Sequence, residues 1–154
     1  MGGAILKHIT VRKAEIDDIA GLSELFIDFI GKESNLTAMK KQLEVISANP
    51  NYYVAVACDG NKLIGTSMGI ACYDLVGSCN SFLLIENVVV LPQYQGQGVG
   101  KVLMKALEDF GEINHCKYVI LVSESKRESS HKFYESIGYT TDQRGFKKQL
   151  MKHV

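Results

Sequence analysis

The stretch Leu91–Leu103, "LPQYQGQGVGKVL", puts three glycines at alternate positions: Gly96, Gly98 and Gly100. An apolar helical pattern follows at once. Val99, Val102, Leu103, Ala106, Leu107 and Phe110 recur at the i, i+3, i+4, i+7 spacing of one buried face. Before it runs Ser81–Leu91, "SFLLIENVVVL", which reads as a long apolar strand. The loop therefore turns a strand into a helix. Glycines leave backbone N–H groups unobstructed there, and the helix N-terminus adds partial positive charge. A pyrophosphate can be held in such a turn without a basic side chain.

Spacing separates the loops that do this. A P-loop ending at Gly100-Lys101 needs Gly at 95 and Ser or Thr at 102, and the chain has Gln95 and Val102. A dinucleotide fingerprint needs G-x-G-x-x-G, whereas this loop is G-x-G-x-G with Lys101 next. Glu124, after the following strand, stands where a ribose-binding acid would, which keeps that reading open. A third pattern, Q/R-x-x-G-x-G/A, is met by Gln95, Gly98 and Gly100. The plain structural alternative is a glycine-rich turn with no ligand.

Outward from the loop, His8–Ala14 reads as a strand. Ile16 to Ile30 carries helical periodicity and is stopped by Gly31, and Leu36–Ala48 reads as a second helix. Tyr52–Cys58 and Lys62–Tyr73 are strands joined by "DGN", a hairpin signal. Tyr118–Val122 is a short buried strand. Ser125 and Glu128 form a capping-box pattern opening a helix that carries Phe133, Tyr134 and Ile137 and is closed by Gly138. Tyr139–Thr141 and Phe146–Met151 read as two final strands. A strand, helix, strand order in the second half implies a parallel crossover. The fold class is α/β, with a mixed sheet in a single domain.

The chain has 154 residues, 46% hydrophobic and 22% charged, an ordinary globular balance. Seventeen basic residues match seventeen acidic ones, which argues against a nucleic-acid protein. No apolar run is long enough to span a bilayer. The start, "MGGAILKHIT", lacks the pattern of a leader, and Leu6 stands where an acylation signal wants Ser or Thr. A cytoplasmic location is expected, with no membrane partner. Cys58, Cys72, Cys79 and Cys116 show no C-x-x-C spacing and read as free thiols in a reducing compartment. The histidines are scattered, so no metal site is expected.

With these residues in view, the sequence resembles the GNAT family of N-acetyltransferases. "VVVLPQYQGQGVGKVLMKAL" is similar to its acetyl-CoA motif, V-x-P-x-x-[RQ]-G-x-G-[IVL]-G-x-x-L, and "HKFYESIGY" to its second signature, F-Y-E-x-x-G-[FY]. The two lie in the family's order and cover about Phe82 to Tyr139; the first half matches in element order only. The resemblance implies the acyl-CoA N-acyltransferase fold, a central mixed sheet of about six to seven strands with about four helices. It implies acetyl-CoA as cosubstrate, its pyrophosphate on the backbone of Gln95, Gly96, Gln97, Gly98, Val99, Gly100 and Lys101. Val88, Val89 and Val90 would present backbone to the pantetheine arm and the thioester, where the strand splays from its parallel neighbour. Tyr134 matches the tyrosine that protonates the departing thiolate. Where members often carry Asn and Ala ahead of the F-Y pair, this chain has Arg127 and Ser130, candidates for cofactor contact, Arg127 through a CoA phosphate. A homodimer is a mild expectation.

Acetyl transfer requires a deprotonated amine, a polarised carbonyl and a leaving thiolate. Glu86 interrupts the apolar strand. By strand alternation it shares a face with Val88 and Val90, and a partly buried carboxylate there suits a general base. Some aminosugar acetyltransferases of the family carry a similar strand. Glu124 is the alternative acid, and His131, one turn before Tyr134, a candidate lining residue. No cysteine falls in either motif, so direct transfer in a ternary complex is expected over a ping-pong route. The competing reading is an acyl-CoA-binding regulatory domain without catalysis. The acceptor amine would be shaped by the first two helices, the loop Asp74–Asn80 and the segment Thr140–Phe146. Its identity, whether aminosugar, polyamine, amino acid or another amine, is left open by the sequence.

Overall fold

A computed structural model describes residues 8–151. The opening residues, on which the readings of leader and acylation rest, lie outside them. The chain divides into two compact units, Met1–Leu121 and Val122–Val154.

The first unit holds a five-stranded sheet in the order β1-β2-β3-β4-β5. The strands are β1 (Ile9–Lys13), β2 (Tyr52–Asp59), β3 (Lys62–Cys72), β4 (Phe82–Val90) and β5 (Val119–Leu121). The first four pair antiparallel and β4–β5 is parallel. Helix α3 (Val99–Ile113) makes the crossover, while α1 (Ile19–Ile30) and α2 (Leu36–Ala48) connect β1 to β2. A two-residue turn with Gly60 at φ +59° joins β2 to β3, as "DGN" predicts. Gly31 closes α1 in the left-handed conformation, φ +74°, its N–H bonding Ile27 O at 2.8 Å. Asn35 caps α2, its side chain accepting from Ala38 N at 2.9 Å.

Alternation along β3 sorts the two faces. Thr66 pairs with Val56, which joins Leu22, Leu25, Leu43 and Val89 in the core beneath α1 and α2. Gly65 and Gly69 face α3 instead. A Cβ on Gly65 would come within 3.0 Å of Leu103 and 3.1 Å of the Val89 carbonyl, and one on Gly69 within 3.2 Å of Leu107. The missing side chains let α3 press its buried Val99, Leu103, Met104 and Leu107 onto the strands. The sheet thus lies between two helical layers.

One ion pair fixes the entry to α1. Arg12 donates two hydrogen bonds to the Asp18 carboxylate, at 2.7 and 2.8 Å, and Glu15 N–H donates a third at 2.7 Å. The Arg12 bonds, helped by Glu15 and opposed by burial, hold the Asp18 carboxyl below the usual carboxylate range. A depressed acid stabilises the fold at every pH above its unfolded value, and the contribution fades as pH falls towards the folded value. Asp18→Asn is expected to cost about 2 kcal/mol at pH 7, less than a fully buried pair because Arg12 is 42% exposed. Urea unfolding of both proteins checks this: the gap should narrow in acid.

The second unit contains α4 (Glu128–Ser136). Two expectations are corrected in this unit. The N-cap of α4 is Arg127, with no side-chain cap, so Ser125 does not form the capping box. No strand forms between Tyr139 and Met151, which leaves five strands among the described residues rather than six to seven. Phe146, Leu150 and Met151 there are 90%, 88% and 66% exposed. Strand-like composition does not make a strand where no ladder partner and no buried face are available. Helix α1 begins at Ile19, after a 3₁₀ turn over Ile16–Asp18.

Candidate functional site

The glycine loop is built as a brace followed by a row of donors. After β4, Pro92–Tyr94 forms a 3₁₀ turn, and Gln95 N–H closes it on Pro92 O at 3.2 Å. The Gln95 side chain reaches back to Val90 O at 3.1 Å. Gln95 therefore braces the turn, with its backbone N–H and its side chain both engaged. Tyr94 O–H donates to Asp59 Oδ2 at 2.7 Å and lies under Lys62 Nζ, 5.8 Å from the ring centroid, tying the turn to the β2–β3 hairpin. Gly96 and Gly98 then adopt φ of +75° and +84°, values that favour glycine. Gly98 is the N-cap of α3, and the first helical bond runs from Val102 N to Gly98 O at 3.2 Å. The N–H groups of Val99, Gly100 and Lys101 thus lack intrahelical acceptors at the positive end of the dipole. Lys101 is exposed, and Lys105 pairs with Asp109.

β4 carries an irregularity that its sequence conceals. Glu86 pairs with Met68 and Val89 with Thr66, so two residues, Asn87 and Val88, oppose Ser67 alone. Asn87 takes φ +55°, a left-handed conformation that Asn tolerates better than most residues. The extra residue reverses the alternation. Glu86 falls on the face of Val89, beneath α1 and α2, and not with Val88 and Val90 as strict alternation implies. Glu86 is also exposed, not partly buried. Val89 is buried, and Val88 and Val90 are half-buried. The parallel pairing with β5 covers only Leu83–Ile85 against Val119–Leu121, so the ladder on that side ends before the bulge.

A cleft of about 410 Å³ opens between α1, α2 and the sheet. Its walls include Leu22, Phe26, Met39, Leu43, Ile46, Val54 and Met68; its polar lining is Ser34, Asn35, Gln42, Thr66, Ser67 and Asn87. Glu86 borders it, as the cross-strand neighbour of Met68 and the residue before Asn87. Asn87 and Met68 are not singled out by the sequence, whereas Met39 falls on the apolar face of the second helix. An Asn inside a valine-rich strand run was the available signal, since strands disfavour it and left-handed turns admit it.

In the second unit, Tyr134 is half-buried among aromatic rings, 5.2 Å from Phe133 and 6.0 Å from Tyr139 between centroids. Burial raises its phenol, with Arg127 opposing, so it stays protonated at neutral pH. The His131 ring nitrogen donates to Glu124 O at 2.8 Å, bracing the turn into α4. Arg127 and Ser130 are half-buried, and Glu124 is exposed. All four cysteines are free, and burial raises the thiols of Cys58, Cys72 and Cys116. No cluster of metal-ligating side chains and no helix long and apolar enough to cross a membrane occurs among the described residues.

The sequence pattern of the acetyltransferase (GNAT) family matches residues 6–139. The chain belongs to the GNAT family. This acetyltransferase is 23% identical over 137 residues to the uncharacterised N-acetyltransferase YhfO of Bacillus subtilis, covering 87% of this chain and 91% of that one. It is 39% identical over 66 residues to a glucosamine 6-phosphate N-acetyltransferase of Trypanosoma brucei, 43% of each chain. A solved structure from Agrobacterium tumefaciens, described as an acetyltransferase, superposes with a TM-score of 0.84 at 25% identity, over 91% of this chain and 99% of that one. The mixed sheet with four helices is the GNAT architecture, and the protein is an acetyl-CoA-dependent N-acetyltransferase.

Proposed function

We propose that this acetyltransferase moves the acetyl group of acetyl-CoA directly to the primary amine of a small molecule in a ternary complex. The observation that carries the reading is the junction of β4 and α3. A strand whose parallel ladder with β5 ends before its bulge leads into a loop whose N–H groups, from Gly96 to Lys101, face no helical acceptor. The pyrophosphate sits on those N–H groups, and the β4 backbone at Val88 and Val89 takes the pantetheine arm and the thioester carbonyl. Val90 gives its carbonyl to Gln95 and contributes less. Arg127 and Ser130 remain candidates for cofactor contact on the second signature.

Glu86 is the base. Placed at the border of the cleft, it accepts the ammonium proton directly or through a water, and the free amine attacks the carbonyl. The C–S bond then breaks, and Tyr134 supplies the thiolate's proton. The family match runs through both units, which supports reading the chain as one catalytic domain. Raised thiols make poor nucleophiles, which favours direct transfer over an acetyl-cysteine intermediate. Free cysteines also suit a reducing, cytosolic setting.

Initial velocities with both substrates varied should give intersecting reciprocal lines; parallel lines would establish ping-pong transfer instead. Tyr134→Phe should lower kcat about tenfold without changing acetyl-CoA affinity. The effect is modest for an acid catalyst because a thiolate, with a conjugate acid near pKa 8.5, leaves readily unaided. An unchanged kcat under chemistry-limited conditions would remove Tyr134 from the mechanism.

A further inference from the structure

The cleft that borders Glu86 has, among its described lining residues, no charged side chain. We propose that the acceptor presents its primary amine on an uncharged, apolar body, an aryl- or alkylamine and not a sugar phosphate or polyamine. The inference rests on the reading of that cleft as the acceptor site.

Three observations converge on it. The walls from α1 and α2 are Phe26, Met39, Leu43 and Ile46, and the sheet adds Val54 and Met68. Two thioethers and a phenyl ring give adaptable contacts for a ring or an alkyl chain. Two of the polar groups are already spent: the Asn35 side-chain oxygen caps α2 through Ala38 N, and the Thr66 hydroxyl donates to Ala55 O at 2.8 Å. Among the described lining residues a phosphate seated here meets no Lys or Arg, and the inner ammoniums of a polyamine meet no carboxylate. Burying such a charge unpaired is strongly unfavourable. The 410 Å³ volume lies at the small end of ligand sites, about 300–1,000 Å³, which suits a compact amine. Glu86, the bordering carboxylate, is then left for the reacting ammonium alone.

The test uses the full chain at saturating acetyl-CoA, following CoA thiol release with 2-phenylethylamine, glucosamine 6-phosphate and spermidine. The expected result is a kcat/KM for 2-phenylethylamine about 100-fold or more above the other two. Met39→Lys should raise the KM for 2-phenylethylamine about tenfold or more with acetyl-CoA affinity unchanged. Ala38→Phe, at an exposed residue of α2 that also lines the cleft, is the companion should that variant fold poorly. It should raise the KM for 2-phenylethylamine and spare methylamine. Equal or better kcat/KM for glucosamine 6-phosphate or spermidine, or an unchanged KM in both variants, overturns the inference and leaves acetyl transfer standing. Acetyl-CoA binding with no amine acetylated overturns the acceptor reading and this inference with it.

Discussion

Glu86→Gln should lower kcat by about 10²–10³-fold while leaving the affinity for acetyl-CoA unchanged. The amide matches the carboxylate in size and keeps a hydrogen-bonding group at the cleft border, but it cannot accept a proton from the attacking ammonium. Because Glu86 is exposed, the substitution leaves no buried group unpaired, so the urea midpoint should not move. The loss should shrink as the assay pH approaches the pKa of the acceptor amine, since free amine then arrives already deprotonated. Steady-state kinetics from pH 6 to 10 read both effects. A uniform loss at all pH values would make Glu86 an orienting group and not the base.

The second large effect is expected at Gly98. Its φ of +84° lets the chain leave the loop and enter α3 with its N–H groups aligned. A side chain in that conformation costs about 1–2 kcal/mol, more for a β-branched one. Gly98→Val should either strain the loop or rotate the N–H groups away, weakening acetyl-CoA binding about tenfold or more. Gly77→Val, at φ +60° in the β3–β4 connection with nothing within 4 Å of the added Cβ, is the matched control. It carries similar backbone strain and should leave the affinity unchanged. Equal losses in both variants would trace the effect to global stability.

What the sequence made legible follows from periodicity. The sequence reads α2 to its observed ends and β4 to within one residue at each end, and the apolar positions Val99 to Phe110 mark the start of α3 but not its end at Ile113. The glycine loop was legible because left-handed turns select glycine. The face of Glu86 was not. A single extra residue at Asn87 inverts the alternation, and nothing in a period-two pattern marks which residue is extra. The two final strands failed for the opposite reason. Pairing is a property of two segments, and strand-like residues along one segment do not by themselves make a ladder. The cleft was only half legible. Its two helices were expected, but its apolar character depends on which faces of α1, α2 and β3 converge.

The most direct test is a calorimetric titration of the protein with acetyl-CoA, S-acetylpantetheine, NAD and ATP. Saturable one-to-one binding of acetyl-CoA is expected, with much weaker binding of S-acetylpantetheine, which lacks the pyrophosphate, and none of NAD or ATP. Equal affinity for acetyl-CoA and S-acetylpantetheine, or preference for NAD or ATP, would contradict the claim that the Gly96–Lys101 backbone holds the pyrophosphate of CoA.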